Sequence, residues 1–333
     1  MAALLEVKNL VTEFPRHGAA PVKAVNDVSF SLEKGRVLGL VGESGSGKSV
    51  TGFSIMGLVD APGRVASGDI FFNGENLADL NAEEMRRLRG RHIAMVFQDP
   101  MMTLNPVLRI ETQMTETLLA HEKMDRAEAR ARARDALGMV GIPSPEERLS
   151  AYPHEFSGGM RQRVAIAIAL LHSPELIIAD EPTTALDVTI QAQIISEFQR
   201  LAEERDTAVI WITHDLAIVS RLADDIAVMY AGRLVETGPV ADVLTGPRHH
   251  YTRGLMDSVP SQNTRGALLK QIPGMTPSPA NLPSGCSFRT RCGGADALCT
   301  KLPPEIREGE RSFRCVHPLG AQSLDAVAGE AVS

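Results

Sequence analysis

The sequence predicts an α/β fold: a mainly parallel sheet core, an antiparallel β patch near the N-terminus, an inserted α-helical subdomain and a small cysteine-rich C-terminal extension. Three observations carry this expectation. Short apolar runs recur at Val37–Val41, Ile93–Phe97, Leu176–Ala179, Ala208–Ile212 and Ile226–Tyr230, each ending at polar or glycine-rich residues. Helix-like stretches are interspersed among them, over 125–140 and 189–204. All four cysteines fall between Cys286 and Cys315. Continuous apolar runs of this kind are strands buried on both faces, the pattern of a parallel sheet covered by crossover helices.

Along the chain, 5–11, 25–32 and 69–73 read as strands of the antiparallel patch. Between Gln98 and Ser157 the strand signal vanishes and Ala, Arg and Glu dominate, which predicts a helical insertion over about 99–160. After about residue 245 the character changes again, and Pro273, Pro277, Pro279 and Pro283 mark an irregular extended segment leading to the cysteines. The expected organisation is a main domain over 1–245, an extension over 246–318 carrying the cysteines, and a disordered tail of small and acidic residues over 319–333. No internal repeat is visible, so the chain holds one such unit.

Composition narrows the function. Hydrophobic residues at 44% and charged residues at 23% give the balance of a soluble globular protein. A net charge of −7 and only 4% aromatics argue against a nucleic-acid partner, which requires clustered cations or stacking platforms. The longest apolar run, Val164–Leu171, is far short of the ~20 residues that cross a bilayer. Glu6 interrupts the N-terminal apolar stretch, so no secretion signal is expected. Without one, clustered cysteines read as metal ligands before disulfides.

The chemistry lies in three motifs. Gly42, Glu43, Ser44, Gly45, Ser46, Gly47, Lys48 and Ser49 fit G-x-x-x-x-G-K-[ST] between the strand Val37–Val41 and a helix starting near Lys48, with Val50 in its first turn. That is a P-loop: backbone N–H groups curl around phosphate, Lys48 reaches the β- and γ-phosphates and Ser49 faces Mg²⁺. The run 176–181 is a second signal, a buried strand delivering Asp180 and Glu181 to the crevice at its C-terminal end. Asp180 suits Mg²⁺ and Glu181 suits a general base acting on water. Third, Phe156, Ser157, Gly158, Gly159 and Met160, followed by Arg161-Gln-Arg163, open an apolar helix. A Ser-Gly-Gly turn at a helix start is a second anion-binding device, which suggests that it serves a nucleotide bound to another subunit.

With these residues in order, the chain resembles the ABC ATPases, P-loop NTPases with a RecA-like core, whose signature L-S-G-G-Q is here F-S-G-G-M. The resemblance implies further roles. Gln98 matches the Q-loop, which senses γ-phosphate and Mg²⁺; Ala185-Leu-Asp187 matches the D-loop at the dimer interface; His214 matches the switch histidine; and Phe14 stands where the family stacks an aromatic on adenine. It implies an ATPase in which two such subunits sandwich ATP.

Narrower matches point to one branch, the D-type ATPase subunits of dipeptide, oligopeptide and nickel permeases. They comprise Asp99-Pro100 followed by Leu104-Asn-Pro106, Tyr152-Pro-His-Glu-Phe, His250-Tyr-Thr-Arg-Gly-Leu255, Ile272-Pro-Gly274, Leu282-Pro283 and Gly285-Cys286. The pair His249-His250 departs from the branch's His-Pro, in what is expected to be a loop. The branch implies a peptide importer, with nickel or another solute as the alternative. Its partners would be a second related ATPase in a heterodimer, two permease subunits and, indirectly, a solute-binding protein. The place would be the cytoplasmic side of a prokaryotic inner membrane, as a peripheral subunit. Cys286, Cys292, Cys299 and Cys315 can enclose zinc or a [4Fe–4S] cluster, since both accept four sulfurs. The branch resemblance favours the cluster, with His317 as a substitute ligand in a zinc version.

Overall fold

The computed structural model describes residues 3–184, 186–259 and 270–320. Ala185 and the tail from 321 onward lie outside the described residues. In chain order the elements begin with strands β1 (Leu5–Arg16), β2 (Ala19–Leu32) and β3 (Val37–Val41), then helix α1 (Lys48–Met56), β4 (Arg64–Phe72), β5 (Glu75–Asn76), α2 (Ala82–Leu88) and β6 (Ile93–Val96). Helices α3 (Ile110–Leu119), α4 (Arg126–Met139), α5 (Pro145–Arg148) and α6 (Gly158–Leu170) follow. Then come β7 (Leu176–Asp180), α7 (Val188–Arg205), β8 (Ala208–Thr213), α8 (Leu216–Leu222), β9 (Asp225–Tyr230), β10 (Arg233–Pro239), α9 (Val240–Thr245), α10 (His250–Asp257), β11 (Ile306–Glu308) and β12 (Arg311–Phe313).

The chain divides into two compact units. One holds Leu32–Val37 and Phe71–Ile212; the other holds Glu6–Ser31, Leu38–Ile70 and the described residues from Thr213 onward. In the first, β6, β7 and β8 are parallel, with Ile93 opposite Leu176 and Leu176 opposite Ala208. Every residue of these strands is buried, which is why they read as unbroken apolar runs. Helix α7 buries Ile194, Phe198, Leu201 and Ala202, one stripe at helical spacing, and Phe198 meets Trp211 edge-on at 5.1 Å. Between β6 and β7 the described residues form helices and no strand, as the sequence predicts. Helix α3 buries Ile110, Met114 and Leu118, and α4 buries Ala129, Ala133, Ala136 and Leu137.

In the second unit β3 runs parallel to β9, Leu38 opposite Asp225 and Val41 opposite Val228. A side chain at Gly39 would come within 2.5 Å of Val219, so glycine lets α8 close on this strand. The antiparallel patch is present, with β1 between β2 and β4. Its strands are longer than expected; β4, for one, begins with four exposed residues, Arg64–Ser67, that show no alternation between buried and exposed positions. Among the described residues no helix is long and apolar enough to cross a membrane.

The C-terminal extension adds strands to this unit. Strand β12 pairs antiparallel with β10, Glu236 opposite Phe313, and β11 pairs with β12. At the junction Glu236 is 1% exposed. Its Oε1 accepts from the Arg311 guanidinium and from the Arg248 N–H at 2.7 Å, and its Oε2 accepts from the His249 N–H at 2.9 Å. His249 lies in the bend before α10, and His250 is the first residue of that helix. His249 caps α10, its Nδ1 accepting from the Tyr251 N–H at 3.0 Å. Burial holds the His249 imidazole neutral, its pKa lowered to about 3. Removing Arg311 would strand a buried carboxylate. Arg311→Ala is expected to cost about 3–5 kcal/mol of stability, read from the denaturant midpoint. A loss under about 1 kcal/mol would show that the backbone donors alone satisfy Glu236.

Candidate nucleotide site and cysteine pocket

The P-loop bridges β3 and α1. Gly45 and Gly47 have φ of 76° and 108°, and a Cβ on Gly47 would fall 2.3 Å from the Ala24 carbonyl oxygen. Only glycine fits there. The loop is held by a bond from the Gly232 N–H to the Ser46 carbonyl at 2.8 Å. Lys48 is 5% exposed and its ammonium donates to the Gly42 and Glu43 carbonyls at 2.8 and 3.0 Å. Gly47 offers α1 no capping side chain and the first turn carries no acid, so the positive helix end stays available to an anion. Ser44 and Gly45 are exposed, and Ser49 and Val50 are half-buried in that turn.

In the other unit, Asp180 ends β7 at 2% exposure. Glu181 follows at φ 45°, and its N–H donates to the Ile212 carbonyl at 2.9 Å. Its carboxylate accepts from Gln98 Nε2 at 3.4 Å and Thr184 Oγ1 at 3.1 Å. Gln98 and Glu181, 83 residues apart in sequence, are thus brought together. Ser157 caps α6, its hydroxyl accepting from the Met160 N–H at 3.3 Å. Beside it Gly158 is exposed, and a Cβ there would meet nothing within 4 Å. Gly159 is half-buried. Asp187 caps α7 by accepting from the Ile190 N–H at 3.1 Å. In the P-loop's unit, His214 is exposed just past β8, and Phe14 packs its ring against Gly63.

Cys286, Cys292, Cys299 and Cys315 line one small recess with His249, His250 and His317, and no disulfide joins them. Burial pushes the Cys286 and Cys292 thiols up, and the Cys315 thiol to about 12. Among the described residues, ligand atoms converge within 4.8 Å only for Asp296, Cys299 and His317, with His317 Nε2 3.0 Å from Asp296 Oδ2.

Three residues escaped sequence reasoning. Gln162, 1% exposed, donates from α6 to the Phe97 carbonyl at 3.3 Å and so holds the backbone next to Gln98. Its place two residues from the Ser-Gly-Gly-Met run was a usable signal. Tyr251 and Arg291 both bind Glu43, and nothing local in sequence announces it.

Residues 25–184 match the family profile described as ABC transporter, and residues 235–299 match that of the oligopeptide/dipeptide transporter C-terminal region. The chain is 48% identical over 318 residues to the dipeptide transport ATP-binding protein DppD of Bacillus subtilis (strain 168), covering 95% of each. This chain belongs to the ABC transporter ATP-binding proteins. The ABC protein is also 49% identical to the oligopeptide transport ATP-binding protein OppD of Escherichia coli (strain K12), over 95% of this chain and 94% of that one. Among solved structures it resembles the dimeric post-hydrolysis state of the ATP-binding cassette MJ0796 bound to ADP and Pi. The TM-score is 0.65 at 28% identity, with 71% of this chain and 98% of the cassette covered.

Proposed function

We propose that this ABC protein hydrolyses ATP to drive import of dipeptides or oligopeptides. It works at the cytoplasmic face of a prokaryotic inner membrane with two permease subunits and a second, related ATPase, and indirectly with a solute-binding protein. The observation that carries the reading is the P-loop of fixed geometry, joined in one chain to the signature turn and to the extension matched by peptide-transporter relatives. The relatives are named for dipeptide and oligopeptide transport.

In this reading residues 42–50 cradle the phosphates and Phe14 stacks on adenine. Ser49, Asp180 and Gln98 would hold Mg²⁺, for which an all-oxygen donor set is apt and which would supply neutralisation of phosphate charge. Glu181 takes the proton of the attacking water, and His214 contacts the γ-phosphate. Ser157, Gly158 and Gly159 cover the ATP of the partner ATPase, while Asp187 speaks across that interface. Closure then needs the γ-phosphate, and hydrolysis releases it. Co-purification with the permease and solute-binding protein, followed by identification of the bound solute, tests the substrate. A bound metal ion with no peptide would make nickel the cargo of the same motor.

For the extension, the reading is a [4Fe–4S] cluster on Cys286, Cys292, Cys299 and Cys315. Support comes from four cysteines around one recess, with no three sulfurs inside 4.8 Å among the described residues. A single zinc with bonds of ~2.3 Å would hold its sulfurs ~3.8 Å apart, closer than these cysteines are gathered. The convergence of Asp296, Cys299 and His317 favours zinc as the second reading. Purified anaerobically, the protein is expected to carry iron and visible absorbance, both lost in Cys315→Ser. Stoichiometric zinc without iron would select the second reading instead.

A further inference from the structure

The carboxylate of Glu43 is an electrostatic anomaly. A negative side chain in a phosphate-binding loop repels the ligand that the loop exists to hold. The structure shows what answers it. Arg291 grips Glu43 with both arms of its guanidinium, Nη1 to Oε2 at 2.6 Å and Nη2 to Oε1 at 3.0 Å. Thr276 Oγ1 donates to the same carboxylate at 2.8 Å, and the Glu43 N–H donates to the Tyr251 hydroxyl at 2.8 Å. All three partners come from the C-terminal extension.

Arg291 is itself fixed in place. Its side chain is 4% exposed, and its Nε donates to the Pro273 carbonyl at 2.8 Å. The guanidinium lies 5.8 Å from the Tyr230 ring centre and 5.9 Å from that of Phe288, over an aromatic floor that Tyr251 completes. A planar fork with its donors engaged and its faces packed is a preorganised partner for one carboxylate. The bond to Arg291 holds the Glu43 carboxyl below its usual range, so the pair is ionic. Arg291 also immediately precedes Cys292, on the turn closed by its own N–H to the Phe288 carbonyl at 2.9 Å. The wall of the cysteine recess is thus one residue from the group that neutralises the loop.

We propose that Arg291 is a positioning residue for the phosphate loop: by clamping and neutralising Glu43 it sets the affinity for ATP, and so ties the loop to the cysteine-bearing extension. This rests on the reading of residues 42–49 as the cradle of ATP.

The test is titration of labelled ATP into the full-length chain, with KM and kcat measured on the assembled transporter. Arg291→Ala and the better-fitting Arg291→Gln are expected to weaken binding about tenfold, within the range of typical coupling between sites, raising KM more than they lower kcat. Adding Glu43→Gln to either is expected to restore most of the affinity, because the uncompensated charge is then gone. A merely structural arginine would show no such rescue. Wild-type affinity in the Arg291 variants, or no recovery in the double variants, would overturn the inference. So would failure of both single variants to fold. Absence of ATP binding by the wild-type chain would instead sink the reading of the loop itself.

Discussion

A Glu181→Gln chain is expected to bind ATP as tightly as the parent, to lose about 10²–10⁴ of its turnover and to accumulate as a closed pair. Glutamine preserves the shape of the side chain and keeps one oxygen for Gln98 and Thr184, which reach the carboxylate at 3.4 and 3.1 Å. What it cannot do is accept the proton of the attacking water. The backbone supports a functional rather than a structural assignment. A φ of 45° at a residue other than glycine costs about 1–3 kcal/mol, and here it aims a carboxylate beyond the C-terminal end of a buried strand. Phosphate release under single-turnover conditions checks it. Turnover near the wild-type rate would remove Glu181 from the role of base.

Lys48→Ala is expected to act earlier, on binding itself. Lys48 is 5% exposed and its ammonium is anchored by the Gly42 and Glu43 carbonyls, so the charge is aimed along the loop. A cation about 4 Å from a phosphate oxygen contributes about 4 kcal/mol at an effective dielectric near 20. Its removal is expected to weaken ATP binding by about 10³ in Kd, measured by titration with labelled nucleotide. Affinity within a few-fold of wild type would mean that the backbone N–H groups and α1 carry the phosphates without Lys48. The two variants separate binding from chemistry, which makes them informative together.

The fold was legible in this sequence wherever a strand is buried on both faces. Residues 37–41, 93–96, 176–180, 208–213 and 226–230 are wholly buried, and their apolar runs say so. Strand β10 was not, because it mixes Arg233, Glu236, Thr237, Gly238 and Pro239 with two apolar residues. Strands β11 and β12 have three residues each, too short for a period to appear. The P-loop, the Asp180–Glu181 pair and the Ser-Gly-Gly turn were readable because phosphate chemistry demands particular residues at fixed local spacing. Partnerships at long range leave no such trace. Glu43 and Arg291 are 248 residues apart and Glu236 and Arg311 are 75 apart, and no window of sequence joins either pair. That His249 caps α10 and His250 begins it left no trace for the same reason, since the cap is fixed by contact with Glu236.

The central claim, ATP clamped between this chain and a second ATPase, is tested most directly by the mass of the Glu181→Gln chain in solution. With ATP and magnesium, alone or mixed with its companion ATPase, light scattering is expected to report a dimer that reverts to monomers when ADP replaces ATP. A chain that stays monomeric in both mixtures while binding ATP would contradict the account.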